Sequence, residues 1–114
     1  PMGESSVLRQ FLYENGWSVE DETLVKESGR LYQVLFAQKQ KSDKLVLPDA
    51  FTFEVGPVLL KKQPILFEEH MQNIINKYEN ICVNMEKSSQ AAKSEKYLKT
   101  KKLLEQAKEF LSCL

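Results

Sequence analysis

The first 37 residues constrain the fold most, because they read as one helix, a glycine stop and two strands joined by a tight turn. Ser5 and Ser6 are suitable helix starters, since a hydroxyl can accept from the free N–H groups of a first turn. Apolar residues then recur with helical spacing, and Asn15-Gly16 is a typical helix end. These apolar residues are Val7, Leu8, Phe11 and Leu12. The stretch is typical of the closing section of a larger α/β domain, so we expect the apolar stripe to pack against other structure.

The two strands lead to the same expectation. A first strand begins at Trp17, Ser28-Gly29 is a plausible turn, and the second strand runs from Leu31 to Ala37. The second strand is apolar on both faces except at Gln33, and such a strand expects cover on both sides. A chain of 114 residues does not obviously supply both covers. The pattern therefore predicts missing structure, with the second strand left as an open template for self-association.

Three consecutive acids, Glu20, Asp21 and Glu22, interrupt the first strand. Consecutive strand residues point to opposite faces, so only Glu20 and Glu22 share a side. We interpret the run as a solvated strand edge rather than an acid–base pair.

The composition excludes several classes of function. Sixteen basic and sixteen acidic residues give a net charge of zero, so a nucleic-acid role must rest on local charge. No apolar run approaches the roughly 20 residues of a membrane span, and we expect a soluble, cytoplasmic protein. His70 is the only histidine, and we expect it to be solvated or capping rather than a metal ligand. Cys82 and Cys113 both fall on helical apolar stripes and are predicted to be reduced core thiols.

The rest of the chain is predicted to be a loop, a connector and two helices. Residues 38–49 read as a surface loop, and residues 51–60 as an ordered connector packed on the sheet or on the following helix. Gln63-Pro64 opens a helix with a heptad pattern, and a second heptad helix follows a break at 86–90, where Ser88 or Ser89 could cap it. The two seams are Phe67, Met71, Ile74, Tyr78, Ile81 and Met85, then Tyr97, Thr100, Leu104, Ala107, Leu111 and Leu114. They predict an antiparallel helical hairpin, and the alternative is one long helix that pairs with another molecule.

Charge divides unequally between these two helices. Residues 64–86 hold one lysine against four glutamates, and residues 88–114 hold six lysines against three glutamates. A basic rod of this kind can contact phosphates through counterion release. The unlike charges also favour pairing of the two helices, and the two interpretations are compatible.

Several short motifs occur in an order that resembles a known family. They are Pro1-Met2, Leu8-Arg9, Leu12, Asn15-Gly16-Trp17, Glu22, Leu24-Val25, Glu27, Gly29, Leu31-Tyr32, Val34, Phe53, Gly56-Pro57, Leu59-Leu60-Lys61 and Pro64. The chain resembles the C-terminal half of the bacterial tRNA adenine-N1 methyltransferases that modify an adenine in the D-arm region. The resemblance covers most of residues 1–67, and the heptad helices beyond match in character only.

The resemblance implies an α/β fold, the C-terminal part of a Rossmann-like class I methyltransferase followed by a helical coiled-coil hairpin. Residues 1–62 would be the end of the methyltransferase domain, and residues 63–114 the hairpin. The family's S-adenosylmethionine site would lie upstream of Pro1, so no position here inherits a catalytic, cofactor or metal role. The resemblance implies tRNA as a partner of the intact protein, along with the missing N-terminal half of the domain. The last helix would then face the tRNA through Lys93, Lys96, Lys99 and Lys102.

Two functions therefore stay open. The first is a portion of an S-adenosylmethionine-dependent tRNA methyltransferase that is inactive alone. The second is a non-enzymatic module whose heptad seams pair with a partner or with a second copy.

Overall fold

The structure is a computed structural model that describes residues 2–40 and 47–114. Part of the predicted loop, residues 41–46, lies outside the described residues. The chain divides into two compact units, Pro1–His70 and Met71–Leu114. The division falls within a helix, and the predicted boundary between residues 62 and 63 stays a prediction.

The first unit opens with helix α1, Met2–Glu14, which begins three residues before the predicted serine start. It ends as expected at Asn15 and Gly16, where the Asn15 N–H reaches the Phe11 carbonyl at 3.1 Å and Gly16 takes a φ of 82°. The predicted apolar stripe is only partly buried. Leu12 is half-buried, but Val7 and Phe11 are 67% and 59% exposed. Within the described residues, the cover expected for this stripe is absent.

Strands β1, Trp17–Glu27, and β2, Arg30–Lys39, form an antiparallel two-stranded sheet. Ser28 and Gly29 connect them with φ values of 52° and 77°, which is the two-residue turn that matches the twist of a hairpin. The mixed helix and strand content and the hairpin are therefore confirmed.

A β-bulge at Glu20 changes the alternation of β1. The register runs from Val19 opposite Ala37 directly to Asp21 opposite Phe36, which leaves Glu20 as the extra residue. Residues after the bulge therefore change faces relative to a regular strand. Val19, Glu22 and Leu24 all become buried on the same side.

The connector folds as two short helices, α2 (Ala50–Val55) and α3 (Pro57–Lys62). Asp49 caps α2 by accepting from the Thr52 N–H at 2.8 Å. Gly56 lies between the two helices with a φ of 112°. The connector packs on β1, as shown by the hydrogen bond from the Val58 N–H to Glu22.

Helices α4 (Phe67–Glu86), α5 (Ser89–Ala92) and α6 (Glu95–Ser112) complete the chain. Helix α4 begins three residues after Pro64, and α5 is an extra turn that the sequence did not predict. Ser88 caps α5 and Ser94 caps α6. None of the helices in the described part of the chain is long and apolar enough to cross a membrane.

Helices α4 and α6 contact each other within the second unit. The Tyr97 hydroxyl donates to Glu86 Oε2 at 2.6 Å, and the Lys108 ammonium lies 3.7 Å from the Glu79 carboxylate. Moving forward along α6 therefore moves backward along α4, so the two helices run antiparallel. The residues buried in this unit are Met71, Ile74, Ile75, Cys82, Tyr97, Thr100, Leu104 and Ala107.

Candidate functional site

The best-connected group in the first unit is a polar cluster around Arg9, which is fully buried. Its guanidinium donates to Glu22 Oε2 from Nε at 2.9 Å and from Nη2 at 2.6 Å. It also donates to the Gln33 side chain at 2.6 Å and to the carbonyls of Phe53 and Glu54 at 2.8 and 3.3 Å. One side chain on α1 thus joins β1, β2 and α2.

Glu22 extends the cluster to α3. Its second oxygen, Oε1, accepts from the Val58 N–H at 2.9 Å, near the start of that helix, where a negative charge is favourable. A Cβ atom at Gly56 would lie 2.6 Å from Glu22 Oε2 and 2.7 Å from Arg9 Nη2. The glycine is therefore required by this close approach as well as by its φ. The space beside it is already filled by protein side chains, so this helix start does not fit an S-adenosylmethionine site.

His70 lies against the same cluster and is buried, so the prediction of a solvated histidine is wrong, whereas the alternative of a capping histidine fits its bond to the last residue of α2. The side chain is 1% exposed, and its Nε2 atom bonds the Val55 carbonyl at 2.8 Å. Burial lowers the pKa of His70, the hydrogen bond to Val55 opposes this effect, and the nearby Arg9 charge adds to it. The neutral imidazole, with Nε2–H as donor, is therefore the form that fits.

The interpretation of the acidic run as a solvated edge is also wrong for one of its members. Asp21 is partly exposed and pairs with Lys62, which lowers the pKa of the Asp21 carboxyl. Glu20 bonds Ser18 at 2.6 Å and Gln40 at 3.0 Å. Glu22, by contrast, is 2% exposed and carries the buried ion pair. The bulge that turns it inward leaves no signal in single-sequence alternation.

The four lysines predicted to face tRNA are all exposed in the second unit. Lys93 lies at the end of α5, whereas Lys96, Lys99 and Lys102 follow one another on α6 away from its buried residues. Lys99 is 3.2 Å from Glu95 one turn earlier, with both side chains at least 75% exposed. Such a pair contributes little and leaves the lysine available to a ligand.

Lys101 takes no part in that exposed row. Its ammonium lies 3.4 Å from the Tyr97 hydroxyl, which raises the pKa of Lys101, and 5.7 Å from the centre of the same ring. Tyr97 in turn donates to Glu86, and this bond raises the pKa of Tyr97. Lys101 and Lys108, which pairs with Glu79, therefore support the contact between α4 and α6.

No metal centre is found in the part of the chain that the structure describes, since no three His, Cys, Asp or Glu side chains lie together as ligands. Cys82 is buried, and burial raises the pKa of its thiol. Cys113 is exposed at the end of α6, so the prediction of a core position is wrong for this cysteine.

One face of the hairpin is apolar and exposed, and we call it the open face. It consists of Val25, Tyr32, Val34 and Phe36, which are 43%, 49%, 36% and 57% exposed. The register places Tyr32 opposite Val25 and Phe36 opposite Asp21. The strand predicted to need cover on both sides is thus covered on one side only by the described residues.

The hairpin, its preceding helix and the helical second unit define a mixed α/β protein. The family described as TrmK, tRNA (adenine(22)-N(1))-methyltransferase, matches residues 1–109, and the chain belongs to this family. A comparison with curated proteins gives no match.

Solved structures share this fold at low sequence identity. An uncharacterized protein from Listeria monocytogenes serotype 4b is 21% identical with a TM-score of 0.70, over 94% of this chain and 46% of its own. A candidate tRNA (m1A22) methyltransferase from Streptococcus pneumoniae, solved in complex with S-adenosyl-L-methionine, is 21% identical with a TM-score of 0.69, over 97% and 44%. The Bacillus subtilis m1A22 tRNA methyltransferase TrmK is 24% identical with a TM-score of 0.58, over 96% and 45%. The chain therefore spans less than half the length of these proteins.

Proposed function

We propose that this chain is the C-terminal portion of an S-adenosylmethionine-dependent tRNA (adenine-N1) methyltransferase and that it transfers no methyl group by itself. It ends a Rossmann-like domain, followed by the antiparallel helical coiled coil of α4 and α6. The observation that carries the proposal is family membership over residues 1–109, combined with coverage of only 44–46% of the solved relatives.

The described residues suit a structural role, and cofactor binding is assigned to residues outside this chain. Arg9 and Glu22 are fully engaged with each other and with neighbouring groups, and Gly56 has no free space beside it. These residues brace the domain. The cofactor, S-adenosylmethionine, would be held by residues outside this chain, where it supplies the methyl group.

The tRNA contact is proposed for the second unit. Lys93, Lys96, Lys99 and Lys102 are exposed, and the only ion pair among them that the structure describes is the weak one between Lys99 and Glu95. Neutralising phosphates with such lysines gives affinity that is independent of base sequence and falls with salt. In the whole protein this surface would hold the tRNA while the other part of the domain acts on the adenine, and both would work in the cytoplasm.

Two titrations test the proposal. Calorimetry of the chain with S-adenosylmethionine should give no heat of binding, and a one-to-one micromolar complex would contradict the proposed division. Filter binding of unmodified tRNA should show affinity that falls with salt, and replacement of the four lysines by glutamine should weaken it. Glutamine at Lys26, Lys39, Lys61 and Lys77, all outside the proposed surface, is the matched control.

The second candidate is a non-enzymatic interaction module. It is favoured by the heptad seams, of which Ile81 and Met85 on α4 are only half-buried. A salt-insensitive dimer of the chain that ignores tRNA, measured by sedimentation, would support this alternative.

A further inference from the structure

A hydrogen bond joins the last residue of α4, Glu86, to Tyr97 in the first turn of α6. We propose that Tyr97 is a positioning residue for tRNA, because its bond to Glu86 fixes the start of α6 and so presents the exposed lysines of that helix as one surface. This inference rests on the proposed function and deepens it, since it names a residue that acts on the lysine surface without contacting the tRNA.

The segment between α4 and α6 has no apolar core of its own. Helix α5, which lies in this segment, contains no buried residue. The hydroxyl of Ser88 accepts from the Ala91 N–H at its start, and that of Ser94 donates to the Ala91 carbonyl at its end. A segment with few buried apolar contacts opens easily. Polar contacts therefore have a large share in deciding how α6 follows α4.

The Tyr97 side chain is held by both its ring and its hydroxyl. The ring is buried, and the hydroxyl donates to Glu86 Oε2 at 2.6 Å. The same hydroxyl accepts from the Lys101 ammonium at 3.4 Å, so both of its hydrogen-bonding capacities are in use. Such a side chain favours one rotational setting of the first turn of α6 about the helix axis.

The rotation of α6 decides which way its lysines face. Successive residues of a helix are about 100° apart around the axis, so Lys99 and Lys102 lie about 160° and 140° from Tyr97. Directing Tyr97 toward α4 therefore directs both of these exposed lysines away from it. A binding surface that is arranged in advance loses less conformational entropy when its ligand binds.

Glu86 allows positioning to be separated from charge. A carboxylate close to the lysines weakens phosphate binding by repulsion alone, so its removal should strengthen binding if charge were its only effect. If Glu86 acts by holding Tyr97, its removal should weaken binding. The two explanations predict opposite results for the same variant.

Filter binding of unmodified tRNA to the whole chain at several salt concentrations tests the inference. Tyr97→Phe keeps the ring and loses the hydroxyl. We expect it to weaken binding several-fold and to lower the slope of log affinity against log salt by about 0.7–0.9, the contribution of one phosphate contact. Tyr32→Phe, which removes a hydroxyl from the first unit, is the matched control and should change neither quantity.

Two substitutions at Glu86 isolate the hydrogen bond. Glu86→Gln and Glu86→Ala both remove the negative charge, but only the glutamine keeps an oxygen that can accept from Tyr97. We expect Glu86→Ala to bind tRNA more weakly than Glu86→Gln and to show the reduced slope of Tyr97→Phe. Glu79→Ala, which breaks the pair with Lys108 and makes the same change in charge, should keep the full slope.

Amide hydrogen exchange separates positioning from overall stability. In Tyr97→Phe, the amides of residues 94–99 should exchange faster than in the unchanged chain, whereas those of residues 71–78 on α4 should not. Binding is measured well below the thermal midpoint of every variant, where a change in stability alone leaves the salt slope unaltered.

The inference is overturned if Tyr97→Phe keeps the full slope, if Glu86→Ala and Glu86→Gln have equal slopes, or if exchange at the start of α6 is unchanged. In each of these cases the proposed function stands, provided that the unchanged chain binds tRNA with an affinity that falls with salt. An unchanged chain that binds no tRNA is a different result, which contradicts the proposed function and the inference together.

Discussion

The Nη2 atom of Arg9 lies 2.6 Å from Oε2 of Glu22, and neither side chain is more than 1% exposed. A buried pair of this kind is not in itself a strong source of stability, because both charges lose their hydration. Here the remaining donors of Arg9 and the second oxygen of Glu22 are also bonded, so the pair fixes the relative positions of five elements. Its main effect is to select one arrangement of the first unit.

Arg9→Met should lower the free energy of unfolding by about 3–5 kcal/mol, because it leaves the Glu22 carboxylate buried without its partner. Urea unfolding followed by the fluorescence of Trp17, the single tryptophan, measures this change in the first unit. The matched control is Lys26→Met, which breaks the half-exposed pair with Glu69 and should cost less than about 1 kcal/mol. Equal losses in the two variants would contradict the role given to Arg9.

Gly56→Ala should destabilise the chain more than Gly29→Ala. Both glycines have positive φ, and an alanine at such a position costs about 1–2 kcal/mol. A Cβ at Gly29 meets nothing within 4 Å, whereas one at Gly56 meets the Arg9–Glu22 pair. Overpacking adds about 1–3 kcal/mol at Gly56 alone. Thermal unfolding of the two variants side by side gives the difference, and identical midpoints would exclude the close approach.

Stability of the first unit should fall as the pH drops below about 6.5, the ordinary pKa of histidine. Burial lowers the pKa of His70 in the folded chain, so the unfolded chain takes up the proton first. The stabilisation contributed by neutral His70 is complete above the pKa of His70 in the unfolded chain. It is lost as the pH falls toward and through the pKa of His70 in the folded chain. The Asp21 carboxyl, whose pKa is lowered from 3.8 by Lys62, acts in a separate window at lower pH.

Urea midpoints at pH 7.5 and 5.5 measure this effect. His70→Gln keeps a donor for the Val55 carbonyl and removes the titration, so its two midpoints should agree more closely than those of the unchanged chain. A full pH dependence in His70→Gln would assign the effect to another group.

Each lysine that contacts a tRNA phosphate should contribute about 0.7–0.9 to the slope of log affinity against log salt. Replacing Lys96, Lys99 and Lys102 by glutamine should therefore reduce the slope by about 2–3 if all three make contact. Binding measured at several salt concentrations gives the slope directly. An unchanged slope in this triple variant would remove α6 from the tRNA surface.

The two thiols should react at very different rates. Cys113 is exposed, whereas Cys82 is 4% exposed and burial raises its pKa, so less of the reactive thiolate forms. A chromogenic disulfide reagent at pH 8 should modify one thiol per chain quickly and the second only after denaturant is added. In Cys113→Ser the rapid phase should disappear, and its survival would place Cys82 at the surface.

Local signals in the sequence were sufficient for much of the fold. Asn15-Gly16 marks the end of α1, and Ser28-Gly29 marks the hairpin turn. Both positions need a left-handed backbone, which glycine adopts at little cost. The antiparallel course of α4 and α6 was one of the two geometries that the seams and the short polar break allowed, and the contacts between the helices decide for it. The missing cover on β2 could also be predicted, since every residue from Leu31 to Ala37 except Gln33 is apolar.

The buried polar cluster of the first unit could not be predicted from the sequence, for a definite physical reason. Glu22 was assigned to solvent, and His70 to solvent or a cap, because charged or titratable side chains are rarely buried without a partner. Their partners lie far away in sequence: Arg9 is 13 residues from Glu22, and Val55 is 15 residues from His70. Only the folded chain brings these groups together. In the same way, exposure of the four lysines could be predicted from one helix, but a ligand for them could not.

The bulge at Glu20 divides β1 into two stretches. Odd-numbered residues lie on one face of the sheet before the bulge and on the other face after it. A regular strand that kept Glu20 would present Asp21 rather than Glu22 on the Val19 side, with a shorter reach toward Arg9. The bulge therefore decides which of the two carboxylates meets the arginine. Loss of Glu20 itself would give a regular strand that still carries Glu22 on the Val19 side, so relatives without the extra residue should keep both the arginine and the glutamate.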